Sequence, residues 1–156
     1  MKIVSGGQTG VDRAALDFAI ESGIDYGGFV PKGRLSEDGK IPESYQNLVE
    51  TETQNYDERT ELNVIHSDAT LIISFGKLTG GSLFTKEMAK KHAKPYLHID
   101  LEKLSIEEAA EEVRQWLSSL QCEVLNVAGP RASSNPEIYG KAKALLKMVF
   151  EGNFRS

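Results

Sequence analysis

Three glycine-rich turns constrain this chain more than any other feature, because each follows a strand-like run and precedes a helix-like run. They are Ser5-Gly6-Gly7-Gln8-Thr9-Gly10, Phe75-Gly76-Lys77-Leu78-Thr79-Gly80-Gly81-Ser82 and Ala128-Gly129-Pro130-Arg131-Ala132-Ser133. Residues 2–5 read as a short buried strand. Val11, Ala14, Ala15, Phe18 and Ala19 then fall at the i, i+3, i+4, i+7, i+8 spacing of a helix with one buried face, and Gly23 is placed to cap it. The runs 26–30, 70–75, 95–99 and 123–128 predict four further strands. Helices are predicted over 56–66, from Ser82 to His92, behind the capping box Ser105-x-x-Glu108, and from Asn135-Pro136 through Phe150.

Strands alternating with helices predict an α/β fold with a parallel sheet covered on both faces. Right-handed crossovers favour the strand order 2-1-3-4-5, which makes strands one and three neighbours and puts the switch in winding direction between them. Ligands in such sheets bind at that switch, outside the carboxyl ends of the strands. The expectation is one doubly wound, three-layer domain, residues 1–156, with a mainly parallel five-stranded sheet; a chain of 156 residues is well below the roughly 250–300 at which cores split. Residues 31–55 hold Pro31, Gly33, Gly39 and Pro42 and show little period, so they are expected to form a long loop of the functional kind.

Composition narrows the chemistry. With 18 Lys+Arg against 23 Asp+Glu the net charge is −5, which argues against non-specific nucleic-acid binding. Cys122 is the single cysteine, so a disulfide framework and a multi-thiolate metal site are excluded. His66, His92 and His98 show no metal-ligand spacing. No apolar run approaches the roughly 20 residues of a membrane span, and the expected location is cytoplasmic. A small anionic ligand remains compatible with net acidity, because a ligand feels local charge.

The first glycine turn leads into a helix N-terminus, where unpaired N–H groups and the helix dipole favour an anion. Thr9 adds a hydroxyl and Arg13 a charge one turn further on. The spacing is neither the Walker pattern nor G-x-G-x-x-G. The second turn offers Gly80, Gly81, Ser82 and Thr85, with Lys77 and Lys86 nearby. On adjacent strands the two turns would make a two-walled anion site. The third turn, with Arg131 and Ser133, would lie about 10 Å from strand three in that order, reaching only an extended ligand or a subunit contact. Lys32 and Arg34 follow strand two, and Tyr56, Arg59, Thr60 and Asn63 share one helix face. The candidate binding set is Gly6, Gly7, Gln8, Thr9, Gly10, Arg13, Lys32, Arg34, Tyr56, Arg59, Asn63, Gly80, Gly81, Ser82 and Thr85. Asp12, Glu87 and Asp68 could act as acid or base, yet Asp12 and Glu87 suit first-turn dipole positions and Asp68 suits a turn. The pattern supports binding better than catalysis, and no residue is assigned a catalytic role.

The run Ser5-Gly-Gly-Gln-Thr-Gly-Val-Asp-Arg-Ala-Ala-Leu-Asp17 resembles the opening motif of the molybdenum cofactor carrier family. So do Pro31-Lys-Gly-Arg-Leu35 with Glu37-Asp38-Gly39, Tyr56-x-x-Arg59-Thr60-x-x-Asn63-Val64, Ser67-Asp68-Ala-Thr-Leu-Ile72 and the turn Gly80-Gly81…Thr85. The likeness runs from about residue 3 to residue 99 and more loosely through 128–133. That family belongs to a wider Rossmann-like group that includes the lysine-decarboxylase-like phosphoribohydrolases, whose motif is Pro-Gly-Gly-x-Gly-Thr-x-x-Glu. Here Gly80, Gly81 and Glu87 match, while Leu83 stands for the third glycine and Phe84 for the threonine. The resemblance implies binding of molybdenum cofactor, a pterin phosphate whose own dithiolene holds the metal, by a carrier or storage protein that is a homo-oligomer. The alternatives are a phosphoribohydrolase-like nucleotide-processing enzyme, with Glu87 as its acid or base, and a nucleotide sensor.

Overall fold

The computed structural model describes residues 1–151; residues 152–156 of the expected domain lie outside the described residues. The main strands are β1 (Lys2–Val4), β2 (Asp25–Val30), β5 (Leu48–Glu50), β6 (Ala69–Ser74), β7 (Tyr96–Asp100) and β8 (Val124–Ala128). A small antiparallel pair, β3 (Leu35–Ser36) and β4 (Gly39–Lys40), lies between β2 and β5 in sequence. The helices are α1 (Val11–Ser22), α2 (Tyr56–Ile65), α3 (Gly80–Lys91), α4 (Ile106–Ser118) and α5 (Ile138–Glu151). Among the described residues, no helix is long and apolar enough to cross a membrane.

The helices end and begin where local chemistry dictates. Gly23 takes a left-handed conformation (φ 68°), and its N–H returns to the last turn of α1. Ser105 and Glu108 form the reciprocal capping box ahead of α4, at 3.0 and 3.1 Å. Asn55 caps α2 by accepting the Asp57 N–H at 2.9 Å. Asn135 likewise accepts the Glu137 N–H, although α5 becomes regular only at Ile138.

All neighbours in the main sheet are parallel, and its order is β5-β2-β1-β8-β6-β7. This corrects two expectations. The sheet has six strands rather than five, because Leu48–Glu50, expected as loop, pairs with β2 along the edge. The order 2-1-3-4-5 is also wrong: the last strand, β8, sits between β1 and β6 instead of at an edge. Burial explains the insertion. Leu125, Asn126 and Val127 are all buried, as central-strand residues must be, whereas β7 carries His98 and Asp100 and is only partly covered. The Asp68 carboxylate fixes the start of β8 beside β6 by accepting the N–H groups of Glu123 (2.9 Å) and Val124 (2.8 Å). At the other end the Ser5 hydroxyl donates to Val127 O at 2.6 Å. Numbered from β8 onward and returning through β1, the five strands other than the edge strand β5 stand in the order 3-2-1-4-5, the first five positions of the doubly wound dinucleotide-binding order, with β5 added outside β2.

The pleat separates two faces. Ile3, Ala69, Leu71, Ile73, Leu125 and Val127 enter one apolar core with α1, α4 and α5. Thr70, Ser74 and Asn126 alternate with them and point to the opposite face, where α2 and α3 pack together. That polar face leads to the candidate site. Residues 31–55 fold back on α1 rather than over this face. Arg34 gathers them by donating to Ile41 O (3.1 Å), Pro42 O (2.6 Å) and Tyr45 O (2.8 Å), while Tyr45 reaches Asp17 (2.6 Å) and Asp38 pairs with Arg13 (2.6 Å).

Candidate functional site

Because the main strands are parallel, the turns after β1, β6 and β8 emerge on one edge of the sheet. They bound a cleft of about 560 Å³, walled on the side by α2 and the start of α3. The inserted strand changes its layout. The first and second glycine turns stand two strands apart, roughly 10 Å, with the third between them. The expected two-walled anion site on adjacent strands is therefore replaced by a longer site with two separate ends. The third turn, Gly129 to Ser133, lies at its centre rather than out of reach.

One end is the start of α3. Among α1–α4, α3 alone has neither a side-chain cap nor an acidic residue in its first turn. Leu83 N–H bonds back to Thr79 O, so the first-turn N–H groups ahead of it have no partner within the helix. A Cβ built on Gly80 or Gly81 would meet nothing within 4 Å, so this corner is open. Lys77 and Arg131 line the same cleft. Free N–H groups, the positive helix end and Lys77 suit this end to an anion.

The other end is built by α2 and the first turn. Arg59 projects from α2 until its Nη1 donates to Gly6 O at 2.6 Å and stands 3.6 Å from Asp12 Oδ2. Both side chains are buried, with 8% of Arg59 and 6% of Asp12 exposed. Gly6 is required here, since a Cβ would overlap Arg59 Nη1 and lie 2.9 Å from Asp12 Oδ2. Burial pushes the Asp12 carboxyl upward, against the pull of Arg59 and the Gln8 N–H. Burial likewise lowers the Arg59 pKa, while Asp12 works to raise it. A guanidinium remains charged in such a setting, so the two form a buried ion pair. The N-terminus of α1 is thus already answered by its own carboxylate, and Val11 N–H is taken by Pro130 O (3.3 Å).

At the mouth, Arg59 Cζ lies 5.2 Å and Arg131 Cζ 5.8 Å from the Tyr56 ring centre, and Arg131 repels the Arg59 charge. Each guanidinium faces a carboxylate of its own, Arg59 that of Asp12 at 3.6 Å and Arg131 that of Glu37 at 4.0 Å.

The cleft gathers Gly6, Gln8, Arg59, Asn63, Gly80, Gly81, Ser82 and Thr85 of the candidate set, with Tyr56 beside them. The remainder stand elsewhere. Gly7 (φ 76°) lies against Ile41, and Gly10 (φ 83°) against the Pro130 backbone. Thr9 donates to Glu37 and accepts the Ala132 N–H at 3.1 Å, tying the first and third turns together. Arg13 is held by Asp38 and by Gly7 O (3.1 Å), Arg34 by three carbonyls, and Lys32 is exposed. Within the cleft, the amide of Asn63 serves β2, accepting from Phe29 N (2.8 Å) and donating to Phe29 O (3.0 Å). Of the acid–base candidates Asp12 is in the cleft, Asp68 pins β8, and Glu87 is exposed on α3 away from it. Sequence reasoning missed Asn126 and Ser74, whose signal was a polar residue inside an apolar strand run.

Fold and site together define a doubly wound, three-layer α/β protein with a basic cleft at the carboxyl edge of its sheet. The chain belongs to the circularly permuted YpsA SLOG family, which matches residues 3–150. A crystal structure from Syntrophus aciditrophicus SB, named "Putative molybdenum carrier protein", is similar at 56% identity with a TM-score of 0.94, over 96% of this chain and 94% of that one. No curated protein matches the chain.

Proposed function

We propose that the cleft holds a small phosphate-bearing heterocycle and that the chain is a carrier or storage protein for molybdenum cofactor. The observation that carries this reading is the open, uncapped start of α3, where Gly80 and Gly81 leave room for a phosphate among free N–H groups, with Lys77 lining the same cleft. The name of the Syntrophus protein supports the choice of cargo. Phosphate would sit on the α3 end, and the ring would extend past the third turn toward Gln8 and Arg59. The pterin brings its own metal-binding sulfurs, so the chain supplies charge, shape and hydrogen bonds. The enzyme reading rests on Glu87, which stands outside the cleft.

Native mass spectrometry of freshly purified protein, followed by denaturation, identifies any bound cargo. A titration with molybdenum cofactor released from a molybdoenzyme then measures affinity. A released pterin phosphate and a saturable titration are expected. Absence of saturable binding, or a nucleotide as the released species, overturns the carrier assignment.

A further inference from the structure

Gln8 is the one buried side chain among the described residues with an unanswered hydrogen-bonding atom. It is 4% exposed and lines the cleft, and its Nε2 has no acceptor. The amide cannot turn over to relieve this. Its Oε1 accepts two backbone N–H groups, Thr9 at 3.1 Å and Glu37 at 2.9 Å, so the nitrogen is held on the other side. A flipped amide would set a donor against two donors. Leaving such a donor unpaired is costly, and that cost is recovered when a ligand supplies the acceptor.

The electrical setting selects the kind of acceptor. Beside Gln8 lie the Asp12 carboxylate, 3.3 Å from the Gln8 backbone N, and Arg59, whose charge Asp12 already offsets. An anion placed there would face a carboxylate. An uncharged carbonyl oxygen, carrying only a partial charge, is repelled far less. The anion-accepting end, at α3, is roughly 10 Å away across two strand spacings, a span that a single phosphate cannot bridge.

Resting on the phosphate reading above, we propose that Gln8 is the specificity-determining donor of this cleft. It reads a carbonyl oxygen on the heterocycle while the phosphate sits at α3, so the ligand class is a phosphate ester of an oxo-substituted ring, and rings with an amino group at that position are rejected. Glu37 is a positioning residue for this contact: its backbone N–H orients Gln8, and its carboxylate anchors the segment by accepting from Thr9 and from Ser133.

GMP and AMP test this directly, because they share sugar and phosphate and differ at the base edge; GMP presents a ring carbonyl where AMP presents an amino group. Calorimetric titrations of the full chain with GMP, AMP and inorganic phosphate are compared with those of Gln8→Glu, which keeps an oxygen for Thr9 and Glu37 and removes the donor. Wild type is expected to favour GMP over AMP by about tenfold or more, and Gln8→Glu to lose about tenfold for GMP while AMP binds no more weakly than before and phosphate changes little. In the wild-type protein, the Gln8 side-chain amide signal in a ¹⁵N–¹H spectrum should shift with GMP and not with phosphate, a readout that does not depend on how the variant folds. Equal affinities, an unmoved Gln8 signal, or equal losses for all three probes overturn the proposal. Phosphate binding without nucleotide preference, or no binding of any probe, rejects the Gln8 proposal, whereas the phosphate reading itself falls only if the molybdenum cofactor titration also fails to saturate.

Discussion

At the scale of single residues, the Arg59–Asp12 pair carries the largest consequence. Removing one partner leaves the other buried and unpaired, which costs about 3–5 kcal/mol, while removing both costs much less. Arg59→Met should therefore lower the urea midpoint strongly, and Asp12→Asn added to it should recover much of the loss. Burial already raises the Asp12 pKa, and loss of Arg59 raises it further. A carboxyl with a raised folded pKa is destabilising once ionised, so the Arg59→Met deficit should grow as pH rises through that pKa and shrink in acid. An unchanged deficit from pH 4 to pH 8 would count against the pair. Asp38 behaves in the opposite sense. Hydrogen bonds from Arg13 and Ser36 hold its pKa at about 2. Its contribution is present above the unfolded value of about 3.9 and is lost as pH falls toward 2. Because Asp38 is nearly half exposed, the effect is small. Asp38→Asn should melt slightly lower than wild type at pH 7 and converge with it near pH 2. Arg59 was legible in the sequence as part of a polar stripe on a helix. The locked orientation of Gln8 was not, because it depends on a backbone N–H from residue 37, brought close only by folding.

At the scale of elements, α3 separates stability from function. Gly81 is the second residue of the helix, and a side chain there meets nothing within 4 Å. Gly81→Asp replaces a poor helix former and places a negative charge at the positive helix end, together worth about 0.5–1.5 kcal/mol of stabilisation. The same carboxylate would occupy the proposed phosphate position. The expected outcome is a higher melting temperature with at least tenfold weaker binding of phosphate ligands; a variant that binds as well as wild type would move the anion site off α3. Gly7 offers no such clean test, since its φ of 76° and its contact with Ile41 make any substitution a folding defect. Helices with caps and stripes were legible because their determinants lie within a few residues of one another. β5 was not, since three residues with Val49 exposed carry no period, and only the edge of β2 makes them a strand.

At the scale of the whole molecule, the order of the sheet determines the shape of the site. Because β8 lies beside β1, the 119–123 turn between α4 and β8 is expected to open without breaking any layer. A permutant opened there, with its original ends joined by a flexible glycine-serine linker, should keep its far-UV circular dichroism and a single cooperative melt. An aggregated or non-cooperative product would show that the returning α4–β8 connection is itself needed for the fold. The sequence alone determined that strands alternate with helices, that the sheet is parallel, and that glycine turns face a common edge, because these follow from local periodicity and handed crossovers. It also placed the family, through motifs whose spacing survives without coordinates. Only the tertiary structure decided where β8 goes, since strand order is settled by which apolar run is best buried on both faces and by pins such as Asp68, contacts made between residues 55 or more positions apart. That one placement separates the two glycine turns, centres the third between them, and turns an expected single anion pocket into a cleft with two chemically different ends.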